Sequence, residues 1–391
     1  MGPVAAPRPL TSPTPGPSPE GEGGLALYIH WPFCVSKCPY CDFNSHVRES
    51  VDQDLWREAL LDDLAHEARV WARGPLTSIF FGGGTPSLMP PATVAALIEA
   101  AQRHWGFAPG IEITLEANPS SVEAARFADL AAAGVNRVSL GLQSLDDEAL
   151  RFLGRAHDAA EGLAALATAQ QAFERVSFDL IYALPGQSAE AWSRELSRAL
   201  GFGTGHLSLY QLTVEPGTRF AALAAKGELR PADPDEAADL YELTRSLTEA
   251  AGLPAYEISN HARPGEESLH NLAYWRYRPY LGIGPGAHGR RGGAATLRHR
   301  KPENWLSALA RNGSGLAEEA VLTPEDRGRE ALLMGLRLRE GVAIAGLEDR
   351  LDGAAVAKLE AQGLLARAPD RLRATPAGML LLEAILREIV V

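Results

Sequence analysis

The most reactive side chains of the chain are its three cysteines, which all fall within one short segment, Cys34-Val-Ser-Lys-Cys38-Pro-Tyr-Cys41. An odd and tightly clustered set does not form a disulfide framework. In a reducing compartment, three neighbouring thiolates indicate a metal centre instead. A four-iron, four-sulfur cluster held by three thiolates keeps one iron without a protein ligand. A zinc site is the alternative, with His30 or His46 completing the ligand set.

The open iron of such a cluster can be chelated by the amino and carboxylate groups of a methionine moiety, as S-adenosylmethionine supplies. An electron from the cluster then reaches the sulfonium and breaks a carbon–sulfur bond. The spacing of Cys34, Cys38 and Cys41 therefore predicts a [4Fe-4S] cluster that presents its open iron to S-adenosylmethionine.

A glycine-rich strand end follows the cysteines in the segment Ser78–Pro86, SIFFGGGTP. Glycines expose backbone amides and carbonyls for close approach to a ligand. The segment lacks the lysine of a phosphate-binding loop. Glycine-rich turns are common, but one that stands a helix and a strand after a three-cysteine loop predicts contacts to the methionine ammonium.

Polar side chains lie in or at the ends of three further predicted strands, at Glu116, Gln143 and Asp179. A carboxylate at the end of a strand can accept ribose hydroxyls, and a glutamine can bridge hydroxyl and carboxylate groups. Arg155 comes shortly after Gln143 and could clamp the methionine carboxylate. For each residue the alternative is that it caps a helix or solvates a loop.

A regular framework must position these residues, and between residues 25 and 215 short apolar strands alternate with amphipathic helices. The predicted strands are Ala26–Phe33, Thr77–Gly82, Glu112–Asn118, Arg137–Gln143, Arg175–Leu184 and His206–Val214. The predicted helices are Leu55–Trp71, Ala92–Arg103, Val122–Ala133, Gly162–Phe173 and Ala189–Leu200. This alternation predicts an α/β fold with a parallel sheet, as an open doubly wound sheet or an incomplete barrel. Both architectures bind ligands at the carboxyl ends of their strands.

The chain divides into four predicted segments. Residues 1–24 are rich in proline and glycine, with little to bury, and predict a disordered tail. Residues 25–217 carry the core, and residues 218–322 form a looser connecting region. Residues 323–391 predict a small helical, winged-helix-like domain, because helices are followed there by a short hairpin and a final helix.

Charge and hydropathy limit the class of protein. The net charge of −12 argues against a nucleic acid as the main partner, because a phosphate backbone requires a basic surface. No apolar run approaches the roughly 20 residues of a membrane span. The N-terminal segment also lacks the apolar core of a signal peptide. These features predict a cytoplasmic protein.

The C-x3-C-x2-C loop, the GGGTP strand end and the ordered polar residues resemble the radical SAM superfamily. The segment Tyr28–Ser45 more closely resembles the oxygen-independent coproporphyrinogen III oxidase group. The resemblance extends from Leu25 through the C-terminal domain and implies a partial (βα)6 barrel with a cluster at the three cysteines. It also implies S-adenosylmethionine contacts at Tyr28, Gly83, Gly84, Thr85, Glu116, Gln143, Arg155 and Asp179, each at a position where the family motif has a binding residue.

Two branches of this group differ at identifiable positions. The oxidases carry a further cysteine where this chain has Phe43, and they have a longer ordered segment ahead of the cysteines. The HemW-type haem chaperones resemble this chain in having C-x3-C-x2-C-x-F and an H-N-x-x-Y-W motif, here His270–Trp275. The resemblance implies that His270 is a haem ligand, since imidazole is a good axial ligand and Tyr274 and Trp275 offer a flat apolar surface. The alternative is a core or loop histidine that is hydrogen-bonded to the backbone.

The resemblance thus implies a haem chaperone that carries a [4Fe-4S] cluster with exchangeable S-adenosylmethionine and transfers haem to an acceptor protein. An electron donor is a further expected partner, and contact with a membrane-bound haem protein is compatible with the sequence. One alternative is an oxygen-independent coproporphyrinogen III oxidase, although Phe43 in place of the motif cysteine weighs against it. Another is a cluster-dependent regulator that binds DNA through its C-terminal domain, against which the acidic charge weighs.

Overall fold

The predicted alternation of strands and helices is present in the computed structural model, which describes residues 24–391. The predicted disordered tail, apart from Gly24, lies outside the described residues. The strands are β1 Leu25–Trp31, β2 Phe33–Cys34, β3 His46–Val47, β4 Leu76–Gly83, β5 Phe107–Ala117, β6 Arg137–Gln143, β7 Arg175–Tyr182, β8 His206–Gln211, β9 Asn260–Ala262, β10 Tyr280–Ile283, β11 His288–Arg291, β12 Ala294–Arg298, β13 Leu316–Val321, β14 Val342–Ala343, β15 Leu365–Arg367 and β16 Arg371–Ala374. The helices are α1 Gln53–Val70, α2 Pro91–Trp105, α3 Ser121–Ala124, α4 Phe127–Ala132, α5 Asp147–Phe152, α6 Ala159–Ala172, α7 Ala189–Leu200, α8 Arg219–Ala225, α9 Pro234–Ala250, α10 Leu269–Trp275, α11 Pro302–Asn312, α12 Pro324–Gly335, α13 Gly353–Ala361, α14 Pro376–Leu380 and α15 Leu382–Ile389.

Six strands form the parallel centre of one open sheet, in the chain order β1-β4-β5-β6-β7-β8. The helices between them make the crossover connections that parallel pairing requires. This arrangement confirms the predicted α/β fold with a partial (βα)6 barrel. Because all six strands run parallel, their carboxyl ends lie along the same edge of the sheet.

The connecting region also contributes to this sheet, which has 11 strands. β10 pairs in parallel with β1 and is followed by the antiparallel strands β11, β12 and β13, while β9 extends the opposite edge. These strands are not among those that the sequence pattern predicts. They are short, and glycines interrupt β10 and β11, so they show no clear period-2 pattern.

The two faces of a central strand have different surroundings. In β6, the alternate residues Val138, Leu140 and Leu142 are buried in the main hydrophobic core. Ser139, Gly141 and Gln143 face the barrel interior instead, where they line a cavity. The period of two therefore keeps the core on the helix side and leaves polar groups on the inner side.

A buried ion network joins α1 to the antiparallel part of the sheet. Arg298 donates to Asp63 at 2.7 Å and to Glu67 at 2.8 Å, and Arg291 donates to Glu67 at 2.7 Å. Asp63 also accepts from the backbone N–H of Gly284 at 3.0 Å. The turn after β10 is therefore fixed to the first helix of the barrel.

The C-terminal region has a hydrophobic cluster of its own, which includes Leu332, Val356, Leu372 and Ile385. Its strands form a three-stranded sheet in the order β14-β16-β15, with α12 and α13 before the β15–β16 hairpin and α14 and α15 after it. This order confirms the predicted winged-helix-like arrangement, whereas the boundary at residue 323 stays a prediction. Within residues 24–391, no helix is long and apolar enough to cross a membrane.

Candidate functional site

A cavity of about 1010 Å³ opens at the carboxyl ends of the parallel strands. We call it the main cavity. It brings together all of the predicted site residues except Tyr28 and His270, namely Cys34, Cys38, Cys41, Gly83, Gly84, Thr85, Glu116, Gln143, Arg155 and Asp179. The strand ends and their polar residues therefore converge on one cavity in the structure, and their role as a ligand site stays a prediction.

The cysteine loop connects β2 to β3, which pair in parallel and close its two ends. Asn44 fixes the end of the loop, because its Nδ2 donates to the carbonyls of Pro285 and Arg300, both at 2.9 Å. The Asn44 carbonyl lies 2.9 Å from Nε2 of His30. The loop is thus anchored to the turn after β10, and the side chain of His30 serves this anchor.

The three thiols are separate donors and do not surround one point. Among residues 24–391, no three His, Cys, Asp or Glu side chains converge closely enough to hold a single metal ion. A zinc ion needs four ligands at about 2.0–2.3 Å around one centre. In a cubane each thiolate binds a different iron, so spaced thiols suit the cluster better than zinc.

The glycines at the end of β4 allow this strand to approach the cysteine loop. A Cβ atom on Gly84 would lie 2.6 Å from the carbonyl oxygen of Phe33, and Gly83 has a φ of +115°. The backbone N–H of Gly84 donates to Trp31 O at 2.7 Å, and that of Thr85 donates to Phe33 O at 2.8 Å. The close packing of β4 against the cysteine loop therefore requires glycines here, whether or not they also contact a methionine ammonium.

Two carboxyl groups lie on the inner face of the barrel. Burial, together with the smaller effect of the nearby Asp179, raises the pKa of Glu116 to about 8. Burial likewise raises the pKa of Asp179 to about 6. Glu116 accepts from the backbone N–H of Gly83 at 3.2 Å, and Asp179 accepts from Ser139 at 3.2 Å. Both carboxyls can therefore change charge near neutral pH, and both can accept hydroxyl groups of a ligand.

Gln143 and Arg155 complete the polar wall of the main cavity. Gln143 has a φ of +71°, which is uncommon for a residue with a side chain and occurs where the surrounding structure fixes it. Arg155 donates to Asn118 at 2.6 Å, to Gly141 O at 3.0 Å and to Cys38 Sγ at 3.3 Å. Its Nε is buried without a hydrogen-bond partner among the described residues, so the guanidinium retains a donor for an anionic ligand.

Tyr28 and His270 lie in a smaller cavity of about 260 Å³. We call it the floor cavity, because His270 lies there beside Ser78, near the start of β4. Glu116 and Asp179 line both cavities, so the floor cavity adjoins the main cavity from below. The Tyr28 hydroxyl lies 3.0 Å from His30 Nδ1. The ring centroids of Tyr28 and His270 are 6.1 Å apart.

The contacts of His270 hold its ring inside the barrel. Its Nδ1 lies 3.3 Å from the Ser78 hydroxyl, and its ring stacks on Phe80 at 4.9 Å. The buried Glu112 accepts from the backbone N–H of His270 at 3.2 Å and fixes the start of α10. Burial lowers the pKa of His270 to about 4, so the imidazole is neutral at pH 7.

The predicted grouping of His270 with Tyr274 and Trp275 is not found in this conformation. The rings of Tyr274 and Trp275 contact one another at 5.2 Å, and Tyr274 contacts Tyr280 at 5.6 Å. Neither ring lines the floor cavity. Trp275 is five positions after His270 and therefore lies on another face of α10. Tyr274 lies on the same face, but one turn further along the helix, where its ring contacts Tyr280 instead.

Two residues that hold the site together, Asn44 and Asn118, are not among the predicted site residues. Asn118 follows β5 directly and accepts from Arg155. A polar residue at the carboxyl end of a predicted strand is a usable signal for Asn118. No comparable signal marks Asn44, whose partners Pro285 and Arg300 are far away in sequence.

Comparisons with known proteins place this geometry in a family. Residues 28–197 match the radical SAM superfamily, and residues 322–381 match the HemN C-terminal domain. The chain is 42% identical over 390 residues to the mouse protein "Radical S-adenosyl methionine domain-containing protein 1, mitochondrial", covering 95% of this chain and 88% of that protein. It is 37% identical over 377 residues to "Heme chaperone HemW" of Escherichia coli, covering 93% of this chain and 97% of that protein.

The fold also has a solved counterpart. The solved structure described as "Coproporphyrinogen III oxidase (HemN) from Escherichia coli is a Radical SAM enzyme" superposes with a TM-score of 0.79 at 24% identity, covering 95% of this chain and 90% of that one. At this identity the match concerns the fold alone. The similarity to the mouse and Escherichia coli proteins extends over nearly the whole chain, and both domain models match as well. The chain therefore belongs to the radical SAM superfamily and to the family of the HemW haem chaperones.

Proposed function

We propose that this protein is a haem chaperone, which binds haem and passes it to an acceptor protein. The observation that carries the proposal is its similarity along nearly the whole chain to relatives named "Heme chaperone HemW". Phe43 in place of a fourth motif cysteine, and the motif His270–Trp275, support this branch over the oxidases. Phe43 has no atom that can bind iron, so it cannot replace a cysteine as a cluster ligand, and its side chain is 61% exposed.

The proposal includes a [4Fe-4S] cluster on Cys34, Cys38 and Cys41. The cluster would supply an open iron for S-adenosylmethionine and a source of single electrons. The orphaned Nε of the buried Arg155 supports a role in binding the methionine carboxylate. Acceptor oxygens for ribose hydroxyls would come from Glu116 and Asp179, and further polar contacts from Gln143, Gly83, Gly84 and Thr85.

Tyr28 has a less direct role in the proposed S-adenosylmethionine site than the main-cavity residues. Its side chain lies in the floor cavity, and its hydroxyl is within hydrogen-bond distance of His30. Burial raises its pKa well above the ordinary value, so it remains a neutral phenol. It can therefore contribute a hydrogen bond and a flat wall at the boundary of the two cavities.

His270 is the proposed haem ligand, with one structural condition. The floor cavity of about 260 Å³ is below the roughly 300–1,000 Å³ of ordinary ligand pockets. Haem can therefore reach the His270 ring only if α10 moves away from the start of β4 and β5. Because the imidazole is neutral at pH 7, it would be ready to coordinate iron once exposed.

The partners and the location of the protein belong to the proposal as well. We expect a haem-acceptor protein and an electron donor, and no nucleic-acid partner, since the net charge is −12. A cytoplasmic location stays a prediction, and the mouse relative carries the word mitochondrial in its name.

The test is an anaerobic haem titration of the cluster-reconstituted protein, followed by its visible spectrum. Wild type is compared with His270→Ala and with a control, His104→Ala, which removes an exposed histidine on α2. We expect saturable binding in wild type and in the control, and a weakened or altered haem spectrum in His270→Ala. Equal spectra in all three proteins would remove His270 from the ligand role.

A complete absence of specific haem binding in wild type would refute the chaperone function. Incubation with coproporphyrinogen III, S-adenosylmethionine and a reductant then tests the oxidase alternative. That alternative predicts deoxyadenosine and protoporphyrinogen in a fixed ratio, whereas a chaperone yields no protoporphyrinogen.

A further inference from the structure

Polar side chains are directed at all three sulfurs of the cysteine loop. The Thr85 hydroxyl donates to Cys34 Sγ at 3.5 Å, and Arg155 Nη1 donates to Cys38 Sγ at 3.3 Å. The Ser45 hydroxyl lies 4.0 Å from Cys41 Sγ. The donors come from the turn after β4, from the segment after α5 and from the loop itself, so three separate parts of the chain supply them.

Asn118 connects two of these donors. Its Oδ1 accepts from Arg155 Nη2 at 2.6 Å, and its Nδ2 donates to Thr85 Oγ1 at 3.2 Å. The backbone N–H of Asn118 donates in turn to Glu123 at 2.8 Å, which fixes the start of this segment. Asn118 contacts no cysteine in these hydrogen bonds, so its effect on the sulfurs passes through its two partners.

The direction of each hydrogen bond in this chain follows from the donor and acceptor inventory. A guanidinium only donates, so the oxygen of the Asn118 amide must face Arg155, and its NH₂ group must face Thr85. An NH₂ group also only donates, so the Thr85 hydroxyl accepts from it. The hydroxyl proton of Thr85 is thereby left free to point at Cys34 Sγ.

We propose that Asn118 is a positioning residue that directs the Thr85 and Arg155 donors onto the Cys34 and Cys38 sulfurs and so raises the reduction potential of the cluster. Reduction adds negative charge to the cluster, and donors to the sulfurs stabilise the more negative state. The inference rests on the proposed cluster and is independent of whether the protein carries haem. Its role is to set how readily the electron donor can reduce the cluster.

The test is an EPR-monitored potentiometric titration of the full chain, reconstituted anaerobically and without S-adenosylmethionine. Leaving out S-adenosylmethionine separates the potential from any effect on ligand binding. We compare wild type with Thr85→Val, Thr85→Ser and Asn118→Asp. The control is Ser36→Ala, an exposed residue of the same loop whose side chain hydrogen-bonds to no cysteine among the described residues.

We expect Thr85→Val to lower the potential, because it removes the donor to Cys34 while keeping the shape of the side chain. The ratio of oxidised to reduced cluster at a fixed potential should change roughly tenfold, which is about 59 mV for one electron. Thr85→Ser should restore the wild-type value. In Asn118→Asp, the new carboxylate keeps the hydrogen bond from Arg155 but now accepts one from the Thr85 hydroxyl. That hydroxyl then no longer donates to Cys34 Sγ, so the potential should fall at least as far as in Thr85→Val.

Wild-type potentials in Thr85→Val and Asn118→Asp with full iron content would overturn the proposal. So would a Thr85→Ser protein that behaves like Thr85→Val, since a structural effect of the substitution would then explain both. Failure of Thr85→Val to assemble a cluster, while Ser36→Ala assembles one, would also overturn it. The proposed hydrogen bond adjusts the reduction potential of the cluster and is not needed to hold the cluster in the protein. Failure of wild type to take up four irons would instead refute the proposed cofactor.

Discussion

The carboxyl group of Glu116 lies between the main cavity and the floor cavity, where burial raises its pKa to about 8 from an ordinary value of 4.5. Below pH 4.5 the side chain is protonated in both the folded and the unfolded protein. As the pH rises from 4.5 to about 8, only the unfolded protein ionises, so the free energy of unfolding falls across this window. Asp179, with a pKa raised to about 6, contributes with the same sign at lower pH.

We therefore expect Glu116→Gln to stabilise the apoprotein relative to wild type at pH 9 and to flatten its pH dependence. Each pKa unit corresponds to about 1.4 kcal/mol, and water in the cavities reduces the penalty, so the expected gain is about 1–3 kcal/mol. Urea denaturation at pH 5, 7 and 9 measures it. The control is Glu148→Gln, an exposed carboxylate on α5. A wild-type pH profile in Glu116→Gln would contradict the assignment.

Gly84 provides a second test at the scale of one residue. In Gly84→Ala the new Cβ would lie 2.6 Å from the carbonyl oxygen of Phe33, which belongs to the backbone ahead of Cys34 and cannot rotate away. We expect a loss of about 1–3 kcal/mol in unfolding free energy and a lower iron content after reconstitution.

Gly353→Ala is the matched control for this substitution. Gly353 has no heavy atom within 4 Å of its Cβ position and no positive φ, so the change should be neutral or slightly stabilising. Equal urea midpoints for the two variants would show that the contact between β4 and the cysteine loop is looser than the structure indicates.

Among the elements, α10 decides whether haem can reach His270. Ser268 is its N-cap: its hydroxyl accepts from the backbone N–H of Asn271 at 3.3 Å and donates to Glu112 at 3.1 Å. We expect Ser268→Ala to weaken the start of α10 by about 0.5–2 kcal/mol. Hydrogen exchange measured by mass spectrometry should show faster exchange in residues 268–276 and unchanged exchange in β4 and β5.

The same variant tests the condition on haem access. If α10 must open for His270 to coordinate iron, Ser268→Ala should bind haem faster than wild type. Ser188→Ala is the control, because Ser188 caps α7 with the same type of hydrogen bond, outside the His270 environment. Faster exchange in α10 without faster haem binding would separate the opening of this helix from the haem site.

The elements also show how far the sequence alone could lead. Arg137–Gln143 and Ala189–Leu200 have the predicted bounds, because Val138, Leu140 and Leu142 alternate along the first and the second has one apolar stripe with a serine cap. The predicted helix Val122–Ala133 is two helices, which break at Ala125 and Arg126. Alanine-rich sequence gives no local signal for such a break, since Arg126 is held there by bonds to the carbonyls of Ser87 and Met89.

For the site, local spacing was sufficient wherever neighbouring residues share one task. The cysteine loop and the glycine-rich strand end are of this kind. The orientation of His270 was beyond such reasoning, because it depends on the contact between α10 and the buried Glu112, a residue 158 positions earlier in the chain. Spacing identifies chemical groups, and the packing of distant elements decides which cavity they face.

At the scale of the whole molecule, a polar and aromatic contact connects the barrel to the C-terminal region. The Tyr277 hydroxyl donates to Glu330 on α12 at 2.6 Å, and Arg290 donates to the same carboxylate at 2.7 Å. The Arg290 guanidinium also lies 4.1 Å from the centre of the Tyr277 ring. Glu330 thus accepts from Tyr277, just before β10, and from Arg290 on β11. It belongs to α12, the helix that contributes Leu332 to the C-terminal hydrophobic cluster.

Glu330→Gln should therefore loosen the C-terminal region while the barrel keeps its stability. The seven tryptophans of the chain all precede residue 323, so tryptophan fluorescence in urea follows the barrel, and hydrogen exchange of residues 353–389 follows the C-terminal region. A hydrogen bond to a charged group is typically worth about 1.5–3 kcal/mol, and partial exposure of Glu330 lowers the expected loss to about 1–2 kcal/mol.

Glu325→Gln on the same helix is the control, because Glu325 contacts the exposed Arg329 four residues later. Exchange in residues 353–389 should rise in Glu330→Gln only, at an unchanged fluorescence midpoint. A midpoint that falls together with the exchange would mean that barrel and C-terminal region unfold as one cooperative unit.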